Sequence, residues 1–173
     1  MKIADITSLT EMGQAFPGVY STIPQFAEAL MRSDAPISRS DRELIAAYVS
    51  ALNECDFCHG SHTHVARAYG VDERKLKAIF EGDMTTEVEP RLVPVLEFAK
   101  ALTKAPARMT EAHYDAVRAA GWDDDAIGYV VGVTAFFNMM NRLVEGFGIR
   151  LPEDGGAAAG QILAADGYDR NQA

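Results

Sequence analysis

Two cysteines and three histidines crowd one short stretch, Glu54-Cys55-Asp56-Phe57-Cys58-His59-Gly60-Ser61-His62-Thr63-His64, and the chain has no other cysteine. On a helix, Cys55, Cys58 and His62 stand at i, i+3 and i+7, which is one face. Cys58 and His62 are an i, i+4 pair, close enough for imidazole and sulfur to approach hydrogen-bonding distance. Cys55 falls at the first turn, where free backbone N–H groups and the helix dipole favour an anion, so its thiol pKa is expected to be lowered. A nearby imidazole takes the proton of the partner thiol. Such a pair suits peroxide chemistry. A thiolate attacks a peroxide oxygen and becomes a sulfenic acid, and the neighbouring thiol condenses with it to a disulfide. C-x-x-C spacing lets the two sulfurs meet in disulfide geometry. An external dithiol then resets the pair by exchange.

A histidine base must be reset between turnovers, and a carboxylate does that. Glu43 lies twelve residues before Cys55, on the preceding helix. If the two helices pack as an antiparallel or crossed pair, Glu43 faces the Cys/His stripe. Blander readings compete. The cysteines also read as small buried hydrophobes, against which Asp56, His59 and Ser61 make the neighbourhood polar. They also read as metal ligands with His59 and His62, although four ligands on one continuous helix cannot surround an ion. Ser40 and Glu43 have capping-box spacing. His59, His64 and His113 read as surface or hydrogen-bonded histidines. Asn138, Asn141 and Arg142 interrupt an apolar helix and are expected to anchor a helix crossing, an interface or a substrate.

The elements that must hold these residues are helical. Apolar residues recur at helical spacing and no run alternates with period two. A helix is expected over Pro24 to Met31. Ser38 N-caps the next helix, with Asp41 three residues on, and that helix carries Leu44 to Leu52. Asn53-Glu54 is a junction before a helix from Cys55 to Tyr69 that stops at Gly70. Asp72 caps a short helix, Glu81 to Pro90 is a polar linker, and a further helix holds Val93 to Leu102. Thr110 caps another that ends at Gly121. The longest starts at Asp123-Asp124-Asp125, acids suited to a helix N-terminus, and runs to Glu145. It is apolar nearly all round, which places it in the core, at an oligomer interface, or both. The expectation is one all-α domain over residues 1–151, of about six to eight helices. A Gly/Ala-rich arm over 152–173 would follow, mobile or laid on a neighbouring subunit.

Net charge is −9, which argues against nucleic-acid and anionic-lipid partners. No apolar run approaches the roughly 20 residues of a bilayer span, and the N-terminus lacks a basic start followed by an apolar stretch. A cytoplasmic location follows as an expectation, and two close cysteines in such a chain point to redox work or a metal.

Glu43-x11-Cys55-x2-Cys58-x3-His62, preceded by Ser40-Asp41-Arg42-Glu43-Leu44-Ile45-Ala46, resembles the core of alkylhydroperoxidase AhpD-like proteins of the carboxymuconolactone decarboxylase superfamily. Phe137-Asn138-Met139-Met140-Asn141-Arg142-Leu143 resembles the peroxidase-related branch of that family. The likeness spans roughly Ile23 to Leu151. It implies an all-helical homo-oligomer and a thiol-dependent peroxidase that needs no cofactor. Its partners would be a peroxide substrate and a dithiol or protein reductant. A disulfide reductase or redox partner of another protein uses the same residues. A non-catalytic helical binding protein and a metalloprotein are rivals from other classes. Carried over by motif position, Cys58 attacks the peroxide, Cys55 resolves, and His62 and Glu43 relay protons. The helix-terminus argument instead gives Cys55 the lower pKa. His59 and His64 lie outside the family pattern and leave another proton path open. Decarboxylase members generally lack the cysteine pair.

Overall fold

The computed structural model describes residues 5–151 and 156–169, and all regular structure among them is helical. The helices are α1 (Leu9–Ala15), α2 (Pro17–Tyr20), α3 (Ile23–Arg32), α4 (Arg39–Leu52), α5 (Asp56–Ala68), α6 (Glu73–Glu81), α7 (Val93–Lys104), α8 (Glu111–Ala119), α9 (Asp124–Phe147) and α10 (Ala157–Asp166), with a 3-10 turn at Pro106–Arg108. The chain is all-α, as its periodicity predicts, with more helices than expected. The additions are the short α1 and α2 and the tail helix α10.

The boundaries follow from local chemistry. Ser38 caps α4 by accepting the Asp41 N–H at 3.1 Å, which satisfies one of the orphan donors of the first turn. At the other end of α4 the Cys55 N–H donates to the Ser50 carbonyl at 3.0 Å and the Glu54 N–H to the Ala51 carbonyl at 3.0 Å. That pairing is a Schellman motif, with Glu54 at the left-handed position, φ +57°. Glutamate there lacks the freedom of glycine, so the turn is held at a cost of about 1 kcal/mol. The turn reverses the chain and makes Cys55 at once the exit residue of α4 and the N-cap of α5.

The helix α4 is the centre of the fold. Every residue from Arg42 to Ser50 is buried. It packs on α5, α7 and α9. The main core joins Leu44, Ile45, Val49, Leu96, Phe98, Val133 and Phe137. The segment between α6 and α7 is not merely polar, since Met84, Val88 and Leu92 enter this core. By length and composition alone α9 is apolar enough to cross a membrane, although polar residues interrupt its apolar run. Half of that stretch is buried inside the protein. Its outer face leaves Met139 43% exposed, so the single chain does not cover it all round. Where the tail is described, α10 packs against α5 of its own chain; the rest of the expected arm, residues 152–155 and 170–173, lies outside the described residues.

Candidate active site

Because α4 and α5 are joined by a three-residue turn and pack along their length, residues of the two helices that face each other meet. Glu43 and His62 do so. His62 Nδ1 lies 2.7 Å from Glu43 Oε2, and the two residues are 6% and 1% exposed. A buried carboxylate facing a ring nitrogen sets the tautomer: the proton sits on Nδ1 and is donated to Glu43, so Nε2 carries the lone pair. The ring is held on its other sides by Phe137 of α9, edge-on at 4.2 Å between centroids, and by Tyr168 beyond α10, stacked at 6.3 Å and 15°. The contact that sequence spacing left conditional, Glu43 with His62, is thus made in the structure.

Cys55 and Cys58 are both free thiols and buried, at 0% and 3% exposed. They form a small apolar cluster with Val144 and Ile149, over which Leu9, Phe57 and Phe147 pack. Each thiol acts on the ionisation of the other. Cys58 is the main influence lowering the Cys55 thiol below its ordinary range, against burial, which raises it; the Cys58 backbone N–H lowers it further, and Glu145 opposes. Cys55 and then burial push the Cys58 thiol well up, while Asn141 opposes them. The expected lowering of the Cys55 thiol agrees with this arrangement in direction, with Cys58 rather than the helix start as its chief cause.

Asn141 belongs to a polar seam across α4, α7 and α9. Its amide donates to Ser50 Oγ at 2.9 Å, and its carbonyl accepts from Asn53 at 2.9 Å. Asn53 also donates to Asn138 at 3.1 Å, which donates to Thr103 at 3.0 Å. Arg142 donates to the Asn138 carbonyls. The asparagines anchor a helix crossing, as expected, and Asn141 adds contact with a thiol that spacing did not foretell.

The remaining histidines stand away from the site. His59 turns to the Ala47 carbonyl, with Nδ1 at 3.2 Å, and to the Phe80 ring at 4.4 Å. His64 lies under α10, its Cβ against Gly160. His113 completes the capping box of α8 with Thr110. Among the described residues, no group of three His, Cys, Asp or Glu side chains is placed to hold a metal.

Sequence reasoning missed Tyr168. Its phenol donates to Glu43 Oε1 at 2.6 Å and lies 3.4 Å from His62 Nδ1. A lone aromatic residue in a polar Gly/Ala-rich tail was the available signal, and it is a weak one.

Helical packing, a C-x-x-C helix start, and a buried Glu–His pair on adjoining helices define a class of α-helical dithiol protein. Residues 17–101 match the carboxymuconolactone decarboxylase family, and the chain belongs to that family. The uncharacterized protein YdfG of Bacillus subtilis (strain 168) is 30% identical over 115 residues, 66% of this chain and 78% of YdfG. Among solved structures, the alkylhydroperoxidase AhpD core of an uncharacterized peroxidase-related protein from Ralstonia eutropha JMP134 superposes with a TM-score of 0.77 at 26% identity, covering 84% of this chain and 76% of that one. The debrominase Bmp8 in complex with 2,3,4-tribromopyrrole superposes at 0.75 and 19% identity, over 89% and 81%. One fold therefore carries more than one chemistry, and the site must decide.

Proposed function

We propose that the protein is a thiol-dependent peroxidase that reduces organic hydroperoxides by cycling Cys55 and Cys58 between dithiol and disulfide. The observation that carries this reading is the 2.7 Å Glu43–His62 contact, made by the helix whose start holds the two free thiols Cys55 and Cys58. His62 Nε2, with its lone pair, takes the Cys58 proton, and Glu43 stabilises the imidazolium formed. The Cys58 sulfur attacks the outer peroxide oxygen and the O–O bond breaks. The products are Cys58 sulfenic acid and an alkoxide, which takes the proton back from His62 and leaves as the alcohol. The Cys55 sulfur then attacks the Cys58 sulfur, forming the S–S bond and releasing water that carries the Cys55 proton. An external dithiol supplies two electrons and two protons to restore the pair.

The lowered Cys55 thiol suits it to the second step, in which a thiolate is the nucleophile. The cover of Leu9, Phe57 and Phe147 favours an apolar organic peroxide over a fully hydrated one. A second reading keeps the same pair and replaces the peroxide by a protein disulfide; the low pKa of Cys55, which suits thiol–disulfide exchange, favours it. Turnover of cumene hydroperoxide with dithiothreitol separates the two. Wild type should consume the peroxide, and Cys55→Ser and Cys58→Ser should each lose turnover. Full turnover in either variant contradicts the dithiol cycle. A stable mixed disulfide with a protein, without peroxide turnover, favours the second reading.

A further inference from the structure

Glu43 has two oxygens, and only one faces His62. The other, Oε1, accepts from the Tyr168 phenol at 2.6 Å. We propose that Tyr168 is a positioning residue: its O–H fixes the Glu43 carboxylate so that Oε2 stays aligned on His62 Nδ1 and Nε2 stays turned out as the base. The proposal rests on reading Glu43 and His62 as the proton relay.

Several independent contacts fit the tail to this task. The Arg32 guanidinium of α3 donates to the carbonyls of Leu163 and Ala164 at the end of α10, at 3.2 and 2.9 Å. The Tyr69 hydroxyl donates to the Ala164 carbonyl at 3.2 Å. Glu28, paired with Arg32 at 3.2 Å, accepts the Tyr168 N–H at 2.7 Å. Gly160 lets α10 lie directly on α5, since a Cβ there would come within 2.5 Å of His64 Cβ. Gly167, at φ +85°, turns the chain beside Glu28 and aims the next side chain inward. The tail is thus held at both ends of a short span, with one aromatic residue delivered to the relay.

The chemistry suits the role. Tyr168 is half-buried, and the burial of its hydroxyl first, then the Glu43 charge, push its pKa well above the ordinary value. It therefore remains a neutral donor throughout the working range. A buried carboxylate leaves neither oxygen unpaired without cost, and a carboxylate bonded at both oxygens cannot rotate away from the imidazole. The groups around it are Glu43 on α4, His62 and the more distant Tyr69 around α5, and Arg32 on α3.

Tyr168→Phe keeps the ring stacked on His62 and removes only the O–H. Two readouts decide the matter in the full-length protein. The first is the proton NMR signal of His62 Nδ1–H, which a buried carboxylate shifts downfield and protects from exchange; it needs no peroxide and no turnover. The second is the pH profile and kcat/KM split for cumene hydroperoxide. The expected result is a lost or exchange-broadened Nδ1–H signal, with kcat lower by about tenfold, KM unchanged and the pH profile displaced. A signal and profile that superimpose on wild type overturn the proposal, and so does a loss of thermal stability with the signal intact. If wild type shows no peroxide turnover, the peroxidase reading fails, while the NMR signal still decides the role of Tyr168.

Discussion

Replacing Glu43 by glutamine tests the relay with little change of shape. The wild-type carboxylate accepts from His62 at 2.7 Å and from Tyr168 at 2.6 Å, in a site only 1% exposed. The amide of Glu43→Gln can preserve both contacts. Its oxygen accepts from Nδ1–H, and its NH2 donates to the phenol oxygen, which has lone pairs to spare. The tautomer therefore survives, and the change removes mainly the negative charge that stabilises the imidazolium. A hydrogen bond to a charged group is worth about 1.5–3 kcal/mol, which converts to about ten- to 150-fold in rate. The assay is stopped-flow loss of free thiol with one equivalent of hydroperoxide, so that neither reductant nor product release limits the rate. The rate constant should fall within that range at neutral pH, with the disulfide still the final product. A fall of less than about threefold refutes the claim that Glu43 supports the base.

The thiols should differ in their response to pH. A lowered pKa puts Cys55 in its thiolate form at a pH where an ordinary cysteine is still protonated, and a raised one keeps Cys58 protonated. Iodoacetamide titrated from acid to base, with peptide mass spectrometry, should therefore label Cys55 first; Cys58 labelled first contradicts the assignment. Asn141→Asp replaces an amide donor to Cys58 with a second buried negative group, so it should disfavour the Cys58 thiolate and slow peroxide-driven thiol loss by about tenfold or more. An unchanged rate would show that Asn141 only anchors the helix crossing. Gly160→Ala places a Cβ within 2.5 Å of His64 Cβ and 3.3 Å of the Ser61 carbonyl oxygen, and the overpacking should lower Tm by about 2–8 °C. A Tm equal to wild type would mean that α10 does not sit tightly on α5.

Much of the site was legible in the sequence because its parts are local or lie on neighbouring helices. The C-x-x-C-x3-H stripe is a helix face whatever else surrounds it. The Ser38 cap and the short Asn53–Cys55 turn force α4 against α5, so Glu43 had few places to point. The state of each thiol was harder to read. It depends on each sulfur acting on the other and on Asn141, some 83 residues from Cys58 along the chain. Tyr168 was out of reach for the same reason: its partner Glu43 is 125 residues away. The stretch that delivers it also misleads. Ala157 to Asp166 is rich in alanine and carries no amphipathic stripe, so it reads as an arm until the closeness permitted by Gly160 is known. His59 beside Cys58 drew attention through sequence adjacency, yet i and i+1 on a helix point apart, and the structure turns it to Ala47 and Phe80.

Counting free thiols before and after one equivalent of cumene hydroperoxide, with mass spectrometry of the peptide holding Cys55 and Cys58, tests the redox cycle most directly. Two free thiols per chain should fall to none, with a loss of two hydrogens in mass and full recovery on adding a dithiol. Two thiols that survive the peroxide, or oxidation that stops at sulfinic acid on a single cysteine, would contradict it.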